Sequence, residues 1–126
     1  MGNRGNIAVR GIEGDVWLYS HWGGPELKDI LKTALARKQR WNDAPYLTRI
    51  IFSEMIREDV LLRLPNTVET GYGISTSMLD NEHGILVVDT LNQKVVRMEE
   101  SGLVGSPKRL PVQLDYRVSR TFAEYA

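Results

Sequence analysis

The sequence predicts an α+β domain: an antiparallel-rich sheet of five to six strands in the order ββααβββ, with a two-helix hairpin packed on one face. Three observations carry this. The β-branched and aromatic residues near the start alternate with period two, flanked by glycine turns. Two stretches between residues 25 and 62 then place apolar residues at helical spacing. From about residue 70 the period returns to two, so strands surround a helical insert rather than alternating singly with helices. The division expected within one domain, 1–126, is a β-hairpin over 1–24, a helical hairpin over 25–62, and a β-meander plus C-terminal strand over 70–118.

The first strand is expected at Ile7-Ala8-Val9-Arg10, followed by the turn Gly11-Ile12-Glu13-Gly14. The second, Val16 to His21, sets Val16, Leu18 and Ser20 on one face and Trp17, Tyr19 and His21 on the other. Large apolar groups on both faces predict a strand that is central or covered on both sides. Gly23-Gly24-Pro25 breaks this strand and opens a helix, with Pro25 in the first turn and Glu26 and Asp29 at its positive end. Leu27, Ile30, Leu31, Ala34 and Leu35, with Trp41 beyond them, form its buried stripe.

Asn42-Asp43-Ala44-Pro45 supplies an Asx cap and a proline for a second helix, expected from about Pro45 to Val60. Its stripe is Leu47, Ile50, Ile51, Met55 and Phe52. A glycine-led strand is expected over Gly71–Met78, a turn at Asp80–Gly84, and the strongest strand at Ile85–Asp89. Leu91-Asn92-Gln93 turns into Lys94–Glu99, completing a three-stranded meander. Residues 100–111 read as a loop, and the alternation of Val112, Leu114, Tyr116 and Val118 predicts a last strand at an edge or reaching a partner subunit. Strand order is not encoded locally.

Composition bounds the function. The 126 residues are 42% hydrophobic and 25% charged, in the range of ordinary globular domains. The absence of cysteine excludes disulfides and thiolate-ligated metals. The polar start, Met1 to Asn6, has no apolar run of a secretory signal, and Asn6 stands where a myristoylation motif has Ser or Thr. No apolar run approaches the roughly 18–20 residues that span a bilayer, so a soluble cytoplasmic protein without a membrane partner is expected. Sixteen basic and sixteen acidic residues balance, which disfavours nucleic acid and permits homo-oligomers. Residues 1–63 hold ten Lys/Arg against eight Asp/Glu and the remainder six against eight, too mild an asymmetry to change that.

Two segments carry the candidate chemistry. In His21-Trp22-Gly23-Gly24-Pro25-Glu26, the glycines would offer backbone N–H groups to an anion at a helix start, His21 a hydrogen bond and Trp22 a stacking surface. The competing view is that the glycines only permit a sharp reversal. In Thr70-Gly71-Tyr72-Gly73-Ile74-Ser75-Thr76, Tyr72 would stack and Ser75 and Thr76 donate to a phosphate or ribose; the pattern matches neither GxxxxGK[ST] nor GxGxxG. Arg49 and Arg57, eight apart on one helix face, would clamp a phosphate, although Glu54 and Glu58 nearby make a solvated face the simpler reading.

Enzyme templates fit less well. His21 and His83 lack metal-ligand spacing, and Asp80, Glu82 and Asp89 have no cation-loop pattern. A triad from Ser20, His21 or Ser75 with Asp89 has no GxSxG elbow. No cofactor, metal or catalytic residue is expected.

The opening Gly2-Asn3-Arg4 and the stretch Leu18-Tyr19-Ser20-His21-Trp22-Gly23-Gly24-Pro25-Glu26 resemble a group of small uncharacterised bacterial and phage proteins. These begin with Gly-Asn-Arg and carry a Tyr-x-His-Trp-(Asn)-Gly-Gly-Pro-Glu segment. The similarity covers about the first 26 residues, and this chain lacks the Asn before Gly-Gly. It brings no catalytic residues; it implies that the N-terminal strand and the turn belong together.

The function expected from these readings is non-enzymatic sequestration of a small anionic, nucleotide-like molecule, as in phage anti-defence proteins, a comparison of class alone. The alternatives are a protein–protein interaction module (a phage inhibitor or toxin-immunity protein) docking through residues from Pro111 onward, and a small hydrolase of a nucleotide signal.

Overall fold

A computed structural model describes residues 3–57 and 71–126. One six-stranded sheet organises them: β1 (Gly5–Gly11), β2 (Gly14–Ser20), β3 (Tyr72–Ser75), β4 (Ile85–Asp89), β5 (Lys94–Met98) and β6 (Ser119–Thr121), in the spatial order β3-β2-β1-β4-β5-β6. Neighbours are antiparallel except β1 and β4, which run parallel with Ile7 opposite Leu86. Helices α1 (Leu27–Ala36) and α2 (Ala44–Met55) pack against each other and the sheet, and a short α3 (Phe122–Tyr125) closes the chain. The predicted α+β class and the helical pair are present. Among the described residues no helix is long and apolar enough to cross a membrane.

The alternation read in β2 separates two cores. Leu18, with Ile7, Val9 and Val88, lies under α1 and α2, whose stripes bury Leu27, Leu31, Ala34, Leu35, Leu47, Ile50, Ile51 and Met55. Trp17 faces the other way, with Ala8, Ile85, Val87 and Val96. Both Trp17 and Leu18 are fully buried, and each such side chain contributes roughly 1.5–3 kcal/mol.

Among the described residues the layer over the Trp17 face contains no α-helix, only 3-10 turns at Glu100–Gly102 and Tyr116–Val118. Residues 76–84 cross it, and residues 99–118 wrap it, supplying Leu110 and Leu114 with Met78, Leu103 and Tyr116 at the margin. This corrects two expectations. β3 does not join β4 in a meander: it pairs with β2 at the sheet edge, and the crossover carries the chain past β1 to start β4. Nor do residues 112–118 form a strand. Their alternation reflects half-burial of a wrap, with Leu114 buried and Val112 and Val118 exposed; the edge strand is Ser119–Thr121.

The ends of the helices differ in smaller ways. Gly24-Pro25-Glu26 forms a 3-10 turn ahead of α1, so Pro25 precedes that helix instead of occupying its first turn. Asp43 is the N-cap of α2 by position but makes no side-chain cap bond; its carboxylate lies 3.7 Å from Arg40. Helix α2 ends at Met55, and the expected continuation over 58–62, like Thr70, lies outside the described residues.

The wrap is latched at Asp89, which is wholly buried. Its carboxylate accepts from Leu91 N at 3.0 Å, Asn92 N at 3.4 Å, Asn92 Nδ2 at 2.9 Å and the Tyr116 hydroxyl. The Tyr116 hydroxyl titrates above the ordinary tyrosine value, first because of that bond to Asp89 and then because of burial. A raised folded-state value means the stabilisation is complete below about pH 10, the unfolded value, and is lost as pH climbs through the folded one. Tyr116→Phe is expected to lower unfolding free energy by about 1–2 kcal/mol at pH 7. In denaturant titrations the gap from wild type should close above pH 10; a gap constant with pH would contradict the latch.

Candidate functional site

The turn at the end of β2 sits where the N-terminal segment, the crossover and the start of β3 meet. His21 N donates to Gly71 O at 2.7 Å, Gly24 N to Asn3 O at 2.6 Å, and Glu82 N to Arg4 O at 3.0 Å. The two segments singled out by sequence therefore lie side by side, joined through the Ser20–Tyr72 and Tyr19–Gly73 pairs. The N-terminal strand also belongs to this junction.

The glycines serve this packing. Gly23 N donates to Ser20 Oγ at 2.8 Å and Gly24 N is bonded to Asn3, so the two amides expected to cradle an anion are already occupied. A Cβ on Gly24 would lie 2.4 Å from Asn3 O and 2.6 Å from the His83 ring. Close approach of backbone, not ligand access, requires glycine there.

What remains around the turn is a side-chain cluster on the Trp17 side of the sheet. Tyr19 and His21, two residues apart on one strand face, meet with the Tyr19 hydroxyl 3.0 Å from His21 Nδ1. Arg4 Nε donates to the same nitrogen at 3.4 Å. Burial raises the Tyr19 phenol above its ordinary value while neighbouring Arg4 lowers it, so at neutral pH the hydroxyl keeps its proton. Two donors aimed at Nδ1 put the imidazole proton on Nε2, which makes no hydrogen bond among the described residues. Trp22 packs edge-on against His21, with centroids 4.8 Å apart and planes at 86°, and leaves half its surface exposed.

Arg4 is held from below by the crossover. Its backbone N–H donates to Glu82 Oε1 at 3.2 Å and its guanidinium lies 3.9 Å from that carboxylate, with each side chain about one-third exposed. Asn6, wholly buried, fixes the crossover: Nδ2 reaches Leu79 O at 3.3 Å, Asp80 O at 3.2 Å and Asn81 Oδ1 at 3.1 Å, while Oδ1 accepts from Leu79 N at 3.3 Å. Asn81 in turn donates to His83 O. Beside Gly24, His83 Nε2 is buried without a hydrogen-bond partner among the described residues.

The other sequence candidates do not converge here. Tyr72, opposite Ser20, belongs to the helix-side face and packs on that core. Ser75 Oγ accepts from Ser77 N at 3.2 Å, opposite Trp17 rather than His21, and Thr76 is exposed beyond the strand. Arg49 lies on the exposed side of α2 and Arg57 is exposed just beyond its end; Arg49 contacts Ser53 Oγ at 3.4 Å and Arg57 lies 3.8 Å from Glu54. The triad assembled on paper dissolves too. Ser20 and His21 point to opposite faces, and Asp89 ends β4 beside Arg10, at the other end of the sheet from the β1 start.

The cation beside His21 is Arg4, which residue spacing did not single out. The signals available were Gly2-Asn3-Arg4 in the resembling group and the shared face of Tyr19 and His21; neither names Glu82, whose proximity follows from the crossover. Comparison with protein-family models, curated proteins and solved structures finds no significant match for the chain.

Proposed function

We propose that this protein binds a small anionic, nucleotide-like ligand without turning it over, at Arg4, His21 and Trp22. The observation that carries this is the half-exposed Trp22 ring against a His21 whose Nδ1 is saturated by Tyr19 and Arg4. In this role the outward Nε2–H and the Arg4 guanidinium meet the anion, and the indole stacks a base. The Gly23 and Gly24 amides and the Tyr72 ring of the sequence-based set drop out, because they are bonded or packed elsewhere. Sequestration in the cytoplasm, as by a phage anti-defence protein, is the biological form this chemistry suits.

A thermal-shift screen with cyclic nucleotides and ADP-ribose derivatives tests the reading. A ligand at one hundred times its Kd stabilises by about 2.7 kcal/mol. The expected result is a raised Tm in wild type, lost in Trp22→Ala and Arg4→Gln, with the ligand recovered intact. Turnover that vanishes in His21→Ala would replace sequestration with hydrolysis. No shift with any member at several hundred micromolar removes the proposal.

A second reading, docking of a protein partner on the wrap, draws on Val104, Val112 and Val118, which are 52%, 92% and 67% exposed. It predicts that charged replacements at Val112 and Val118 abolish partner capture without lowering Tm.

A further inference from the structure

The connection between α1 and α2 has an unusual backbone. Lys38 and Arg40 both adopt left-handed conformations, with φ of 54° and 58°. Neither is glycine, so each costs of order 1 kcal/mol or more. The loop is held by Lys38 N to Leu35 O at 3.0 Å, Asp43 N to Arg40 O at 3.1 Å and Trp41 Nε1 to Leu35 O at 3.2 Å. Strain maintained by surrounding bonds fixes where a side chain is delivered. Here it delivers Arg40 over the Tyr46 ring, with the guanidinium carbon 4.3 Å from the centroid.

Arg40 and Tyr46 form walls of a cavity of about 430 Å³, completed by Gln39, Arg49 and Ile50. That volume is within the usual range for small-molecule sites. Among the described residues its lining carries two guanidiniums and an amide and no carboxylate. The nearby acids are engaged: Glu54 pairs with Arg37 and Arg57, and Asp43 is 3.7 Å from Arg40 at the rim. Arg49 has no carboxylate within ion-pair distance among the described residues; its contact is Ser53. Ile50 is buried as part of the core, while Tyr46 is half-exposed.

We infer that this cavity is a phosphoryl-binding site, separate from the Arg4–His21–Trp22 cluster, in which Arg40 and Arg49 hold a phosphate or diphosphate group and Gln39 donates to it. Guanidinium forks match phosphate oxygens in pairs, and two of them lining one cavity, Arg49 without a carboxylate partner among the described residues and Arg40 with only Asp43 at the rim, favour a multiply charged anion. The exposed part of the Tyr46 ring offers a surface to whatever the phosphate carries. The source is either a nucleoside diphosphate or a free polyphosphate; the phosphoryl chemistry is common to both.

Calorimetric titration of inorganic pyrophosphate into the full chain tests it. Arg49→Gln and Arg40→Gln are each expected to weaken binding about tenfold. In ¹H–¹⁵N spectra the Gln39 side-chain amide and the Arg49 Nε–H should shift on addition of pyrophosphate, and sulfate at equal ionic strength should shift them far less. ADP binding more tightly than pyrophosphate assigns the Tyr46 surface to a base; equal affinity assigns the site to phosphates alone, and both support the inference. Absence of binding, or affinity unchanged in both arginine variants while they melt like wild type, overturns it. Loss through Arg4→Gln alone would also overturn it, moving the anion to the other cluster.

Discussion

Asn6→Asp is expected to cost about 4 kcal/mol at pH 7, although it changes almost no volume. The native amide is wholly buried with Nδ2 directed at three acceptors: two backbone carbonyls and Asn81 Oδ1. A carboxylate would set negative oxygen against all three and lose its hydration. For a chain of this length the loss corresponds to a fall in Tm of roughly 15 °C. The pH dependence gives a second, sharper test. Burial facing three acceptors and a single donor, Leu79 N, raises the introduced carboxyl above the unfolded value of about 3.9, so the penalty is small below that pH. It grows as pH rises from the unfolded value to the folded-state one and is then constant. A variant within 1 kcal/mol of wild type at pH 7 would show that Asn6 does not anchor the crossover. Because the crossover presents Glu82 to Arg4, the same variant should weaken ligand binding at pH 7 even where folded.

Removal of residues 111–126 is expected to abolish cooperative folding, which the sequence alone did not anticipate. The segment supplies Leu114 to one core and Phe122 to the other, and β6 covers the β5 edge. Phe122 is wholly buried with its ring edge-on to Trp41, and its N–H donates to Gln93 O at 2.9 Å. Loss of such a phenylalanine alone costs about 3–5 kcal/mol, against a total stability of about 5–15 kcal/mol. Truncation also removes Tyr116 from the buried Asp89 and Val112 O from Arg10 Nη1. Circular dichroism and calorimetry should show no sigmoidal transition. A truncated chain that melts cooperatively would contradict the two-core packing. The docking reading is therefore tested with Val112→Asp and Val118→Asp together, whose exposure predicts a stability change within about 0.5 kcal/mol per site.

What was legible in the sequence was whatever depends on local period and turn chemistry. The β1–β2 hairpin, the two opposite faces of β2, both helices with their buried stripes, and the β4–β5 hairpin follow from residue spacing. The adjacency of Tyr19 and His21 was in principle readable, since i and i+2 share a strand face. Nonlocal partners were not readable. Nothing in residues 71–78 specifies that they pair with β2 instead of β4, because any open edge meets the same backbone requirement. The alternation over 112–118 misled for a related reason: an irregular wrap over an apolar sheet face also buries about every second side chain.

The turn Ser20-His21-Trp22-Gly23-Gly24-Pro25-Glu26 shows the division most clearly. Its sequence alone determined that a strand ends there and a helix soon begins, because glycine and proline act on their own φ angles. Only the tertiary structure decided that its amides bond to Asn3 and Ser20, that its histidine is held by Tyr19 and Arg4, and that Arg49 belongs to a different cavity. Those partners lie up to tens of residues away, and their approach is set by strand pairing and by the path of the crossover, which local residue preferences do not encode.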